Sequence, residues 1–217
     1  MKLFLIRHGE SIQNTKENYE IKLPDHKVYL SKKGCIQANN AGEFLNKYVH
    51  ENDIDLTNAT LWVSPYERTR QTAQILNKHL KIKDIKEDIT LIEQRYGLFS
   101  DMDIQIIKEK YPEEFEFYDN YYQNDGKFYA KLPQGESPYD VALRTKQFLE
   151  TIFRDDRENL FIVSHGTTIR IIVMNWFHYS PEWFNAEPNM KNCSIRFIDG
   201  DSINREEKYI YGGPIKE

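Results

Sequence analysis

Two stretches of this chain repeat one pattern: Leu3-Phe4-Leu5-Ile6-Arg7-His8-Gly9 and Leu160-Phe161-Ile162-Val163-Ser164-His165-Gly166. Each is a four-residue apolar run that ends in a polar residue and then His-Gly. A short continuous apolar run bounded by turn residues reads as a strand buried on both faces, the kind that parallel sheets use. Parallel strands need crossover connections, usually helices. These two segments therefore favour an α/β layer structure over a bundle or an all-β fold.

The rest of the chain alternates accordingly. Residues 2–6 and 59–63 read as strands, and 89–92 as a short third one. Ser31 is placed to cap a helix running to about Tyr48, with Ala41, Phe44, Leu45, Tyr48 and Val49 at helical spacing. A second helix spans about 66–80, with Thr69, Thr72, Ala73, Leu76 and Leu80 on one face. Ser137-Pro138, with Asp140 three residues after the Ser, marks another helix start. A strand over 160–163, a largely buried helix over 167–177 and an edge strand over 195–198 complete the pattern, and Gly212-Gly213-Pro214 reads as a loose tail. The expected fold is a three-layer α/β sandwich: an open, mostly parallel sheet with helices on both faces. A chain of 217 residues suits one such domain, 1–217, with an insertion.

The insertion is expected at about 98–135. Alternation stops there, and helical pieces at 102–110 and 113–121 accompany nine aromatic residues between Phe99 and Tyr129. Those rings suit a small core of their own, and equally a lid over a site with some rings facing the substrate.

Composition narrows the function. The formal charge is −5, so no global field attracts nucleic acid or anionic lipid, and any anion site has to be a local concentration of positive groups. The first apolar run is too short for a signal peptide or a membrane span. Two isolated cysteines, Cys35 and Cys193, match no zinc spacing and make no disulfide framework, so a cytoplasmic setting without a metal or cofactor is the expectation. Asp101-Met102-Asp103 suggests a magnesium site at first sight, but it follows no buried strand.

Ligands of open α/β sheets bind at the carboxyl ends of the strands, so His8 and His165 should share one rim. Glycine after each lets the chain turn sharply and lets backbone N–H groups approach an anion. A lone histidine at a strand end is more often a turn residue, whereas two in matching contexts point to function. Arginine is the side chain best suited to hold phosphate. Arg7 precedes the first histidine, and Arg68 opens the helix after the second strand, again at that rim.

Arg7-His8-Gly9-Glu10-Ser11, with Asn14 three residues on, resembles the signature of the histidine phosphatase superfamily in its phosphoglycerate-mutase-like branch. The resemblance continues in order through Leu30-Ser31-Lys32-Lys33-Gly34, Ser64-Pro65-Tyr66-Glu67-Arg68-Thr69, Leu91-Ile92-Glu93-Gln94-Arg95-Tyr96-Gly97, Gly135-Glu136-Ser137 and Ser164-His165-Gly166. It implies that His8 is a nucleophile that takes up a phosphoryl group. Arg7, Arg68 and His165 would hold the phosphoryl oxygens, with Asn14 and the Gly166 backbone assisting. Glu93 matches the proton donor, and Tyr96 in the same motif falls among the substrate contacts.

Neutral imidazole is a competent nucleophile near neutrality when one ring nitrogen is free and the other is tied to a carbonyl. Fixed cationic donors then stabilise the charge on the transferring phosphoryl group. The expected activity is metal-independent hydrolysis of small phosphomonoesters, with neither nucleic acid nor membrane as partner. Two alternatives remain. A mutase holds a doubly charged intermediate with an adjacent arginine pair after the acid motif, whereas no arginine lies here between Arg95 and Arg144. A non-catalytic module that binds a phosphorylated ligand or a partner would have lost the nucleophile, an arginine or the acid, and all are present.

Overall fold

The computed structural model describes residues 1–15, 23–100, 102–155, 157–200 and 205–215. Its sheet contains β1 (Lys2–Arg7), β2 (Ala59–Val63), β3 (Asp84–Glu87), β4 (Asn159–Ser164), β5 (Ile195–Gly200) and β6 (Arg205–Tyr211) in the order β3-β2-β4-β1-β5-β6. The first four are mutually parallel, while β5 and β6 run antiparallel on one side. The repeated segments are direct neighbours. Leu3 pairs with Leu160 and each following residue with its counterpart, up to Arg7 with Ser164. This register carries both chains to the rim together, so His8 and His165 emerge side by side.

Alternating side chains of the buried strands supply two cores, as the period-2 geometry requires. Phe4, Ile6, Leu61, Val63, Phe161 and Val163 meet α1 (Lys32–Glu51) and α2 (Glu67–Leu80) on one face. Leu3, Leu5, Trp62, Leu160 and Ile162 meet α5 (Pro138–Phe153) and α6 (Gly166–Phe177) on the other. Phe4 stacks on Phe161 at 4.3 Å across the β1/β4 pair. Burying one such aromatic side chain contributes about 1.5–3 kcal/mol. The expected helix starts form as read. Ser31 Oγ accepts from Gly34 N at 3.0 Å, and Ser137 with Asp140 makes a capping box.

The excursion holds α3 (Ile104–Lys110) and α4 (Pro112–Asp125), which close a small cluster of Phe99, Ile107 and Leu132 with Phe115 and Tyr118 against it. After α6 comes a short helix, α7 (Pro181–Ala186). Among the described residues, no helix is long and apolar enough to cross a membrane. Asp101 of the Asp-Met-Asp run lies outside the described residues.

Three expectations need correction. Ile89–Leu91 is a 3-10 turn, started by Asp88 whose Oδ1 accepts from Thr90 N at 2.8 Å, and the third strand is the polar Asp84–Glu87. That strand lies at the sheet edge, where one face is wet and an apolar run is not required. Ile195–Gly200 is an inner strand, because the charged Arg205–Tyr211 pairs outside it. Finally, the Gly212-Gly213-Pro214 tail is tied down. Gly213 N donates to Ser194 Oγ at 2.9 Å, Lys191 N donates to Gly213 O at 2.9 Å, and Ile215 N donates to Asn189 O. Gly212 has φ +70°, and a Cβ there would lie 2.2 Å from Ser194 Oγ. Glycine is needed for both reasons.

Candidate active site

His8, Ser64, Glu93 and His165 follow β1, β2, the turn after β3 and β4, so four parallel strands deliver their C-terminal residues to one rim. The His8 and His165 rings are 5.1 Å apart, centroid to centroid, with planes 64° apart. Both are buried, in contrast to the usual exposed turn histidine.

Each ring is oriented by one bond. His8 Nδ1 lies 2.7 Å from Gly9 O. A carbonyl only accepts, so Nδ1 carries the proton and Nε2 keeps its free lone pair. His165 Nε2 lies 2.8 Å from Ser64 Oγ, and its Nδ1 is buried without a hydrogen-bond partner among the described residues. An anion at the rim meets a donor there when Nδ1 carries the proton, with Ser64 Oγ donating to Nε2. Burial, and then the nearby Arg68 and Arg7 charges, hold His8 well below the ordinary imidazole pKa, against a smaller opposing contribution from the Gly9 bond. His165 is depressed likewise, by burial first and then by Arg68. Both rings are therefore neutral near pH 7.

Each arginine is pinned through Nη1. Arg68 sits in the first turn of α2, where Nη1 donates to Asp25 O and Asp25 Oδ1, at 2.9 and 2.7 Å. Tyr66 lies beneath it, with Cζ 4.9 Å from the ring centroid. Arg7 Nη1 donates to Met190 O, while its Nε is buried and has no hydrogen-bond partner among the described residues. Leaving a buried donor unmet costs about 1–3 kcal/mol. Arg7 Nε and His165 Nδ1 are two such donors at one rim, in an arrangement that an anion completes.

Gly9 and Gly166 are required for close approach rather than for a sharp turn, since neither has a positive φ. A Cβ on Gly9 would sit 2.6 Å from Gly34 O. One on Gly166 would sit 2.8 Å from Asn189 Oδ1 and 3.6 Å from Arg7 Nε. The Gly166 backbone thus lies against Arg7 at the start of α6, where N–H groups face outward.

Glu93 is held across that helix start. Its carboxylate accepts from Thr168 N and Thr168 Oγ1 at 3.3 Å and from Thr167 N at 3.4 Å. Tyr96 stands beside it, half exposed, sharing a hydrogen bond with the Thr167 hydroxyl. Asn14 is exposed, and its Oδ1 accepts from Ser11 N and Ser11 Oγ, which leaves only its amide nitrogen for a ligand.

Several supporting residues escaped the sequence reading. Ser64 and Glu136 lie inside recognised motifs without an evident role. Glu136 is buried, accepts from Arg95 N at 3.0 Å, and pairs with Arg144 at 3.1 Å. Arg144 also donates to Thr90 O, so this pair clamps the loop carrying Glu93. Asp25 and Met190 carry no local signal, because only the tertiary fold brings them to the arginines.

Comparison with known proteins agrees with this geometry. The sequence profile of the histidine phosphatase superfamily (branch 1) matches residues 3–208. The chain is 32% identical over 213 residues to the phosphoglycerate mutase-like protein AT74 of Arabidopsis thaliana, covering 91% of this chain and 64% of that one. It therefore spans just under two thirds of that relative's length. The broad-range acid phosphatase DET1 of Saccharomyces cerevisiae is 24% identical, with 94% and 86% covered. Among solved structures, the alpha-ribazole phosphatase from Shigella flexneri superposes with a TM-score of 0.75 at 20% identity, covering 96% and 95%, which speaks for the fold alone. With its profile match, its relatives and its paired histidines, the chain belongs to the histidine phosphatase superfamily, branch 1.

Proposed function

We propose that the protein is a metal-independent phosphatase that hydrolyses small phosphomonoesters through a phosphohistidine at His8. The observation that carries this reading is the His8 ring: buried, neutral, tied through Nδ1 to Gly9 O, and set between Arg7, Arg68 and His165. Nε2 attacks phosphorus as the ester P–O bond breaks, and Glu93 gives a proton to the leaving oxygen. Water then attacks phosphorus, Glu93 takes back a proton, the P–N bond breaks and phosphate leaves. Arg7, Arg68, His165 Nδ1 and the Gly166 N–H hold the equatorial oxygens throughout, with the Asn14 amide assisting, so that developing charge meets fixed donors. Tyr96 contacts the alcohol half.

In this reading residues 1–217 act as one domain, with 98–135 as a lid. Tyr118 and Lys127 of that excursion line the same cavity as Tyr96 and Thr167, which supports the assignment. Hydrolysis is favoured over mutase transfer because the excursion offers no arginine pair to grip a reorienting intermediate.

Quenching the enzyme during turnover of a phosphomonoester should trap an acid-labile, alkali-stable phosphoprotein. His8→Ala should abolish both the trapped species and phosphate release. Normal turnover by that variant would overturn the assignment.

A further inference from the structure

After burial itself, the Arg68 charge is the largest influence on both imidazoles, so an error in its placement reaches His8 and His165 together. An arginine side chain turns about several soft torsions, and a guanidinium that meets a transferring phosphoryl group works best when fixed beforehand. Two residues that take no part in the proposed chemistry surround it.

Asp25 holds one of its nitrogens twice. Nη1 donates to the Asp25 main-chain O at 2.9 Å and to Oδ1 at 2.7 Å, so both hydrogens of that nitrogen end on one residue. Asp25 opens the 3-10 turn Asp25–Lys27, which Val28 N closes by donating to Asp25 O at 3.2 Å. The chain beyond that turn is fastened to α2. Val28 and Leu30 are buried, and Leu30 N donates to Gln71 Oε1 at 2.9 Å, one turn past Arg68. The two acceptors are therefore fixed relative to the helix that carries the arginine.

Tyr66 supplies the second contact. Its ring lies 4.9 Å from Arg68 Cζ and meets the His165 ring edge-on at 5.2 Å, with planes 73° apart. The negative face of an aromatic ring attracts a guanidinium and sets its height. Thr69 Oγ1 donates to Ser64 O and Tyr66 O, at 2.8 and 2.6 Å, and so locks the turn that presents this ring. One buried ring thus spaces Arg68 from His165, two groups that come from the exits of β2 and β4. On charge alone, a carboxylate paired with Arg68 works against anion binding. Its value lies in orientation.

We propose that Asp25 and Tyr66 are positioning residues, which together hold the Arg68 guanidinium in the plane, and at the distance from His165, that the transferring phosphoryl group requires. This deepens the phosphatase reading above and rests on it. A donor fixed for the transition state acts on kcat more than on KM.

The test measures turnover of 4-nitrophenyl phosphate and its inhibition by orthovanadate and by inorganic phosphate. Vanadate takes the trigonal-bipyramidal shape of the transferring group, whereas phosphate keeps the tetrahedral ground-state shape. Asp25→Ala should lower kcat about tenfold or more, short of the loss from Arg68→Ala, with KM within about threefold. Its inhibition constant for vanadate should rise as kcat falls, while that for phosphate stays level or drops. Asp25→Asn keeps both acceptors and should recover most of kcat. Tyr66→Phe keeps the ring and should resemble wild type, whereas Tyr66→Leu should repeat the Asp25→Ala pattern. Inhibition constants do not depend on the folded fraction, so a partly folded variant is still read. The Asp25 side chain is 40% exposed and tolerates replacement, so its variants decide the proposal if Tyr66→Leu does not fold. In an Arg68→Ala background, Asp25→Ala should lower kcat by no more than about twofold further, because it acts through the missing group. Additive losses in that background, or vanadate and phosphate constants that move together, refute the positioning role and leave the phosphatase standing. No turnover of phosphomonoesters by wild type refutes the phosphatase reading itself, and this proposal with it.

Discussion

Two neutral imidazoles buried beside two guanidinium groups should make the fold acid-sensitive well above the range where carboxylates titrate. In the unfolded chain His8 and His165 take up protons around pH 6.5, whereas in the fold burial and the Arg68 and Arg7 charges depress both. Below pH 6.5 the unfolded state thus binds more protons than the native one, and stability falls as pH falls. The loss begins at the unfolded value and ends only where the depressed native groups themselves charge. While the native rings stay neutral, each costs about 1.4 kcal/mol at one pH unit below the unfolded value, roughly 2.8 kcal/mol for the pair. That is a sizeable share of a typical 5–15 kcal/mol stability. Urea denaturation followed by tryptophan fluorescence at pH 7.5, 6.5 and 5.5 reads the quantity directly. His165→Asn should remove about half of the drop between pH 6.5 and 5.5, whatever it does to the stability at pH 7.5. Parallel pH profiles for wild type and variant would show that the His165 ring takes up its proton inside the fold as readily as in the unfolded chain, and the argument that burial beside the arginines keeps it neutral would fail.

Other outcomes follow from the same geometry. Arg68→Ala should lower kcat by about 10²–10³, the range for one preorganised donor, and a change below threefold would remove Arg68 from the site. Ser64→Ala strips the His165 ring of the one hydrogen bond it makes among the described residues and should cost about 1–3 kcal/mol of stability, together with a tenfold or greater fall in kcat/KM. Thermal denaturation and steady-state kinetics measured together would expose an unaffected variant. Gly212→Ala puts a side chain at φ +70° and against Ser194 Oγ, so the melting temperature should drop by several degrees at about 2–4 °C per kcal/mol. An unchanged Tm would mean that the tail is not docked as described.

The recognised motifs are the parts of the site that local sequence can encode. A strand running into His-Gly specifies a buried segment and a polar residue at its exit, and two copies made a shared rim the natural expectation. The supporting contacts escaped for a different reason. Ser64 reaches His165 across two neighbouring strands, Asp25 reaches Arg68 from a separate turn, and Met190 reaches Arg7 from beyond α7. No periodicity encodes such partners. The same limit explains the misplaced third strand, since Asp84–Glu87 alternates half-buried and exposed residues and carries no apolar run.

Sequence alone determined the layer architecture, because helical and two-residue periodicities report which faces must be buried before any partner is known. It also singled out Arg7, His8, Arg68 and His165 as candidate site residues, because each lies within a few residues of a strand end. Tertiary structure decided the pairing of the two repeats in register, the tethering of the C-terminal glycines and the seating of Arg170 over the Phe184 ring. Those depend on contacts between residues far apart in the chain, and such contacts exist only once the sheet has closed.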